Sequence, residues 1–436
     1  MYWDQPAECG SREEMTRLQE SRLKETVRYA FDKIAFYRDG FNESGIRPDD
    51  IKTLGDLPRL PFTTKSDLRE SYPFGFCAVS PSQIVRMHAS SGTTGKPTPV
   101  FHTARDLAHW TDLMARNQTM AGIRPDDICQ VAFKYTLFTG AFGHHAGAER
   151  IGAMVIPAGA GQTERHILLM RDFNSTVLFC TPSYALTLAE KMAEMDVGKE
   201  MLSLRLGIHG AEAMSEEMRV EIEERLGIKS IRDYGLTELG GPGVSIECTE
   251  QAGYHINEDF FLPEIVDPDT LEPLPPGRTG ELVLTALQKE ATPLIRYRTR
   301  DITHLEMEPC ACGRTLVRHG PILGRTDDML IVGGVNFFPS QLEGVILGFE
   351  EIEPQYAIYL HREKRADRVT VHLETTAEFW AKAGDDSFEA LAKDIEKKIK
   401  DWIGFRIDVR LIEPFTLPRS EGKAQRVHDR REDRRA

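Results

Sequence analysis

Apolar residues recur at helical spacing from the start of the chain. Between residues 11 and 36, Leu18, Leu23, Val27, Ala30 and Ile34 sit among many charges, which predicts an amphipathic opening helix. Pro48-Asp49-Asp50 and Pro58-Arg59-Leu60-Pro61 break the next stretch into turns, and Thr63-Thr64-Lys65-Ser66-Asp67 has the hydroxyl and acid of a capped short helix. Nothing there points to chemistry. Strands are predicted at 84–88 and 98–102, a helix at 103–121, and a strand at 128–133 after the turn Pro125-Asp126-Asp127. Short buried runs at 153–157, 176–181 and 206–210 then alternate with helices at 165–174 and 184–195. Parallel neighbours need crossover connections, so this alternation predicts an α/β domain with mostly parallel sheets.

The texture changes twice more. Between 263 and 287, turns such as Pro275-Pro276-Gly277 separate short strands, which predicts a small antiparallel β subdomain at about 245–325. After Gly324-Arg325-Thr326-Asp327 the pattern reads as a hairpin at 329–335, a helix at 340–348 and strands at 357–361 and 369–373. The expected organisation is thus a large N-terminal domain over 1–326 and a small α+β lid over 327–436. No internal repeat or low-complexity tract interrupts it, and the arginine-rich stretch at 426–435 reads as a solvated tail.

Composition narrows the partners. A chain of 436 residues exceeds one comfortable core, in agreement with two domains. No apolar run of about 18 residues exists and the first residues lack a basic-then-apolar leader, so a cytoplasmic protein with no membrane partner is expected. A formal net charge of -14 argues against nucleic acid, and leaves anionic ligands to be met by individual loops and cations. Seven cysteines in so long a chain do not make a disulfide framework.

One stretch supplies an anion-binding loop. Ser90-Ser91-Gly92-Thr93-Thr94-Gly95-Lys96 combines glycines, whose N–H groups converge on an oxyanion, with hydroxyls and a cation. Two residues between its glycines and Pro97 after the lysine exclude a Walker A loop. Thr237 and Glu238 offer a hydroxyl and a hard carboxylate suited to Mg²⁺, or else a capped helix start. Asp301 can accept from two ribose hydroxyls, or be one of two surface charges with Arg300. Lys423, in a polar loop, is a candidate cation for a carboxylate and an α-phosphate. Cys310 and Cys312 supply two of the four ligands a structural metal needs, with Cys248 and His255 able to complete the set; the alternative is two buried cysteines in a turn.

Taken in order, these motifs resemble the adenylate-forming superfamily, the acyl-CoA synthetases and their relatives. The strings that carry the resemblance are the phosphate loop, Asp233-Tyr234-Gly235-Leu236-Thr237-Glu238, Tyr297-Arg298-Thr299-Arg300-Asp301, Gly324-Arg325-Thr326-Asp327-Asp328, Gly333-Gly334-Val335-Asn336 and Gly422-Lys423. Phe138-Thr139-Gly140, Gly147-Ala148-Glu149-Arg150, Thr181-Pro182-Ser183-Tyr184 and Phe338-Pro339-Ser340-Gln341 are similar to the phenylacetate-CoA ligase branch. The resemblance implies an enzyme that joins a small aromatic acid to coenzyme A through an acyl-adenylate, using ATP and Mg²⁺, and a homodimer is expected. It places Gly210, Ala211 and Glu212 at the adenine, with Asp233, Tyr234 and Gly235 also toward the nucleotide. Glu238 takes the Mg²⁺, and Asp301 and Arg325 take the ribose and phosphate. Asp327 becomes the hinge of a rotating lid, Lys423 the catalytic lysine, and Gly333 and Gly334 the path of pantetheine.

By the same resemblance the acid lies against Tyr135, Phe138, Thr139, Gly140, Ala141 and Gly143, and a structural Zn²⁺ sits on Cys248, His255, Cys310 and Cys312. The chain departs from the branch at Ala141-Phe142-Gly143-His144-His145-Ala146, where Gly-Leu-Gly, a variable residue and His-Tyr are expected. Adjacent His144 and His145 point apart on any regular element, so packing rather than metal binding is expected of them. Two alternatives stay open: transfer of the acyl group to a carrier-protein thiol or an amine, and a non-catalytic nucleotide-binding homologue.

Overall fold

The computed structural model describes residues 1–90, 97–327, 330–332, 335–363, 366–403, 406–420 and 424–431. Three helices open the chain: α1 (Gln5–Cys9), α2 (Arg12–Lys33) and α3 (Ala35–Glu43). A capping box starts α2, in which the Glu14 N–H donates to Ser11 Oγ and the Ser11 N–H donates to the Glu14 carboxylate. The helix buries Leu23, Val27 and Ala30, the stripe that its spacing predicts. Thr64 and Asp67 cap α4 (Lys65–Glu70) in the same way.

Strands β1 (Arg86–Ser90) and β2 (Thr98–His102) form an antiparallel hairpin around the phosphate-loop sequence. Beyond α5 (Ala104–Ala121) come β3 (Ile128–Val131), α6 (Gly140–Ile151), β4 (Met154–Ile156), α7 (Thr163–Asp172), β5 (Val177–Cys180), β6 (Leu206–His209) and β7 (Lys229–Leu236). In the sheet, β4, β3, β5, β6 and β7 run parallel in that order. The expected α/β architecture is thus present, because crossovers separate each parallel pair. Past β7 the sheet turns antiparallel through β8 (Gly241–Glu247) and β9 (Tyr254–Ile256). A separate ladder is built from β10 (Phe261–Val266), β11 (Gly280–Ala286) and β12 (Tyr297–Thr303), and β13 (Leu305–Glu306) and β14 (Arg318–His319) close the large sheet beside β9.

Helices α5 and α6 pack through small residues. A Cβ on Gly143 would stand 2.7 Å from Trp110 Cζ2, and one on Gly147 would stand 2.7 Å from Met114 Cβ. Only glycine lets the helices approach this closely.

The chain divides into two compact units. The first comprises Met1–Cys180, Leu202–Ala211 and Lys229–Ile322, and holds every element named so far. The second takes α8 (Pro182–Glu194) and α9 (Glu216–Leu226) together with the chain from Leu323 onward. Within it are β15 (Gly324–Arg325), the hairpin of β16 (Leu330–Val332) and β17 (Val335–Phe337), α10 (Pro339–Ile346), the long antiparallel pair β18 (Ile352–Glu363) and β19 (Ala366–Thr375), α11 (Ala377–Lys382), α12 (Asp385–Ile403), β20 (Asp408–Ile412) and β21 (Val427–Asp429). Leu342 and Ile346 of α10 and Leu391, Ile395 and Ile399 of α12 share one core with Ile358, Leu360, Val371 and Leu373 of the sheet. Helix α12 has no counterpart in the sequence reading.

Candidate active site

Strand β7 ends in a tight turn over Thr237–Leu239, closed by Gly240 at φ 109° and Gly241 at φ 115°, angles that side-chain-bearing residues seldom adopt. The turn carries Glu238 into a buried position, 5 % exposed, where Oε1 accepts from Ser90 Oγ at 2.8 Å and lies 3.1 Å from Lys65 Nζ. The first residue of the phosphate-loop motif therefore touches the carboxylate assigned to Mg²⁺. Lys65, the first residue of α4, is a site residue that sequence reasoning missed. Its only local signal is a position after a capping threonine, which any surface lysine shares.

Side chains on β7 alternate, and the two faces do different things. Tyr234 Oη donates to Asp301 Oδ2 at 2.6 Å, and the Asp301 N–H donates to Thr299 Oγ1 at 3.0 Å. Asp301 is buried, so the surface-charge alternative is set aside. Arg300 reaches this arrangement at φ 70°, and its neighbour Arg298 forms a two-pronged pair with buried Glu281. Asp233 faces the other way, toward α6, with Oδ2 at 3.4 Å from His144 Nε2. Any contact of Asp233 with a nucleotide is left to its backbone. Gly210 follows β6 beside this point, where a Cβ would stand 2.9 Å from the Asp233 carbonyl oxygen, and Ala211 adopts φ 71°. A non-glycine residue in the left-handed region costs on the order of 1 kcal/mol, and such strain clusters at functional sites.

In the second unit Glu212 acts as a tether. Its Oε1 accepts from the Ser183 N–H at 2.8 Å and from the Ser183 hydroxyl, and its Oε2 accepts from the Ala424 N–H at 3.0 Å. Ala424 immediately follows Lys423 in the chain. Arg325 Nε and Nη2 donate to the two carboxylate oxygens of exposed Asp327 at 2.9 and 3.1 Å. Ser91, Gly92, Thr93, Thr94, Gly95, Lys96, Gly333, Gly334 and Lys423 lie outside the described residues.

The residues assigned to the acid divide by environment. Tyr135 packs edge-on to Phe142, and its hydroxyl meets His145 Nδ1 at 3.0 Å. Burial raises the Tyr135 phenol above its ordinary range. Gly140 backs onto Phe133, Ala141 is fully buried, Thr139 lies beneath Gly241 and Phe138 is exposed. Gly143 is turned into the α5 packing, so its small size serves helix approach. His144 and His145 point to different partners: Asp233 for the first, Tyr135 and Glu149 for the second.

Cys248, His255, Cys310 and Cys312 converge, with one ligand atom from each lying within 4.8 Å of the others. Cys248 Sγ is 3.7 Å from Cys310 Sγ, and Cys312 Sγ is 3.6 Å from His255 Nε2. A tetrahedron with metal–sulfur bonds of about 2.3 Å has edges of about 3.8 Å, whereas a disulfide needs about 2 Å, so the spacing fits a four-ligand zinc site. The Cys248 thiol hydrogen bond, with His255 assisting, holds Cys312 far below the thiol range, and Cys248 is raised in return. The N-terminal segment clamps this turn. Tyr2 Oη donates to the Cys312 carbonyl at 3.1 Å, and Arg314 donates to buried Glu8 at 2.6 Å and to the Met1 carbonyl at 2.8 Å.

The fold and the comparisons with known proteins make this chain an AMP-binding, adenylate-forming enzyme, a ligase of acids to thiols. A family model for the AMP-binding enzyme matches residues 15–287, and one for the AMP-binding enzyme C-terminal domain matches 334–431. The phenylacetate-coenzyme A ligase of Thermus thermophilus is 48 % identical, with 99 % of this chain and 100 % of that protein aligned. That of Escherichia coli (strain K12) is 46 % identical over 98 % and 97 %. The chain belongs to the phenylacetate-coenzyme A ligase family. A crystal structure of 2-hydroxyisobutyryl-CoA ligase with an acyl-AMP, 28 % identical, superposes with a TM-score of 0.93 over 99 % of this chain and 93 % of that one.

Proposed function

We propose that this chain is an aromatic acid–CoA ligase, converting an aryl or arylacetic acid, ATP and CoA to acyl-CoA, AMP and pyrophosphate through an acyl-adenylate. The observation that carries the reading is the buried Glu238 carboxylate, held by Ser90 at the mouth of the phosphate loop and by Lys65. A carboxylate oriented at that point is suited to a cation that accompanies a triphosphate. Glu238 and Thr237 would hold Mg²⁺, whose chemistry is to neutralise charge as pyrophosphate leaves.

The other residues divide the task. Asp301, positioned by Tyr234, accepts from the ribose hydroxyls, and Arg325 contributes a second ribose and phosphate contact. Gly210, Ala211 and Glu212 border the adenine, with Gly235 leaving room beside it. Ser91 to Lys96 cradle phosphate oxygens, and Lys423 bridges the attacking carboxylate and the α-phosphate. Asp327 pivots between the two half-reactions, and Gly333 and Gly334 let pantetheine pass. Tyr135, Gly140 and Ala141 receive the ring of the acid. The Cys248, His255, Cys310 and Cys312 set, closed by four protein ligands, would hold a structural Zn²⁺. Seven free cysteines suit a reducing, cytoplasmic setting, and we expect a homodimer.

Pyrophosphate release from ATP, measured over a panel of aromatic acids with and without CoA, tests the reading. Acid-dependent release that turns over only with CoA is expected. Release that turns over with an amine or a carrier protein and not with CoA would overturn it.

A further inference from the structure

Helix α8 holds the chain on both sides of Lys423, and both contacts lie within the second unit. Before the lysine, Arg419 donates from Nε to Glu190 Oε2 on α8 at 2.8 Å. Its other two nitrogens form a two-pronged pair with Glu374 of β19, Nη1 at 2.9 Å and Nη2 at 2.8 Å. After the lysine, the Ala424 N–H donates to Glu212, whose other oxygen accepts from the Ser183 N–H in the first turn of α8.

The two carboxylates on Arg419 belong to different parts of the chain. Fully buried Glu374 also accepts from the N–H groups of Phe415 at 3.0 Å and Leu417 at 2.6 Å, so it builds the loop that carries Arg419. Glu190 contributes one bond, from a helix that precedes that loop by more than two hundred residues. A guanidinium can commit two nitrogens to one carboxylate and still offer Nε to a second, which a lysine ammonium does with no fixed direction. The Glu190 and Arg419 side chains are only 9 and 20 % exposed, so water screens the pair less than it screens a surface ion pair. Helix α9 adds a similar bond, from Arg225 Nη2 to Glu353 Oε2 of β18 at 2.9 Å.

Building on the lid rotation in the reading above, we propose that Glu190 is a positioning residue for adenylation, acting through Arg419 to hold the Lys423 loop. When the lid turns for the thiol step, Arg419 travels with Glu374, and the bond to Glu190 is the one that breaks. A contact made in one of two states biases the equilibrium toward that state, so this one favours adenylation and opposes thiolysis.

Glu190→Ala tests the assignment, because it removes the α8 partner and leaves Arg419 paired with Glu374. Pre-steady-state pyrophosphate release reads adenylation, with phenylacetate or whichever acid of the panel wild type uses best. Attack of CoA on the synthetic adenylate of that acid reads thiolysis. Adenylation should slow by about tenfold while thiolysis holds or quickens. Glu190→Gln, which keeps the shape but loses the charge, should shift the rates the same way by less, and serves if the alanine variant does not fold. Glu194→Ala, which breaks an ion pair with Lys191 inside the same helix, should change neither rate. A merely structural role for Glu190 would lower both half-reactions together. That result, or unchanged adenylation in both Glu190 variants, would overturn the inference and leave the ligase reading standing. A wild type that adenylates no acid of the panel would overturn both.

Discussion

Lys65 Nζ lies 3.1 Å from the buried Oε1 of Glu238, although the two residues are far apart in the chain. A lysine here stands beside the carboxylate proposed to hold Mg²⁺. Removing it leaves a buried carboxylate without its counter-charge, and on the proposed reading deprives incoming phosphates of an ammonium.

Lys65→Ala is therefore expected to slow adenylation by about 10², the cost of losing one well-placed charge in a catalytic cleft. Lys65 also competes with any metal for Glu238, so the variant should reach half-maximal rate at lower Mg²⁺. Titration of Mg²⁺ against initial pyrophosphate release in both proteins reads the two effects separately. An unchanged rate and an unchanged Mg²⁺ profile would return Lys65 to the class of surface lysines.

Lys423→Ala should lower adenylation by about 10² to 10³, or about 3 to 4 kcal/mol, and barely alter thiolysis of a supplied acyl-adenylate. The attacking carboxylate and the α-phosphate lose a shared cation, whereas attack by a thiol does not involve both groups. Single-turnover measurement of each half-reaction decides this, and equal losses in both would refute the division.

Elemental analysis should find about one zinc per chain, lost in Cys310→Ser together with several degrees of melting temperature. Removing one thiolate opens a site whose four ligands converge within 4.8 Å. Fully stable wild-type protein without zinc would exclude the metal.

A pH prediction concerns Glu221 in the second unit, which pairs with Arg225 at 2.7 Å while Arg225 also pairs with Glu353 at 2.9 Å. Burial raises the Glu221 carboxyl to about 7 against the pull of Arg225. A raised acid disfavours the folded state once ionised: the penalty is absent below pH about 4.5 and grows as pH rises toward 7. Its ceiling is on the order of 3 kcal/mol by linkage. Glu221→Gln should accordingly melt higher than wild type at pH 8 and alike at pH 4.5, as thermal scans at both pH values would show. A variant less stable at pH 8 would mean that the Arg225 pair outweighs burial.

What could be read along the chain was whatever is written locally. The opening helix, the cap at Thr64 and the parallel strands all depend on neighbours in sequence, and the structure places them as expected. Lys65 was passed over because its partner is supplied by a distant strand end, and a lysine after a cap looks the same with or without one. Asp233 was grouped with the nucleotide because its motif is; strand alternation instead turns its side chain to α6. Helix α12 was not anticipated, although its apolar positions Leu391, Ile395 and Ile399 recur every four residues. Glycine roles were half legible: Gly143 reads as pocket lining in sequence, but only the position of Trp110 shows that it is packing.

The clamp of the first residues onto the cysteine turn has a practical side. Glu8, fully buried, joins Arg314 to the backbone N–H groups of Trp3 and Asp4, and Thr315 bonds the Glu8 and Gly10 carbonyls. Residues usually treated as a free handle thus act as a splint across the turn that carries Cys310 and Cys312. An affinity tag fused ahead of Met1, or a protease nick before Arg12, would loosen that splint and invite air oxidation of Cys310 and Cys312. Loss of activity on storage would then reflect how the protein was prepared rather than how it works.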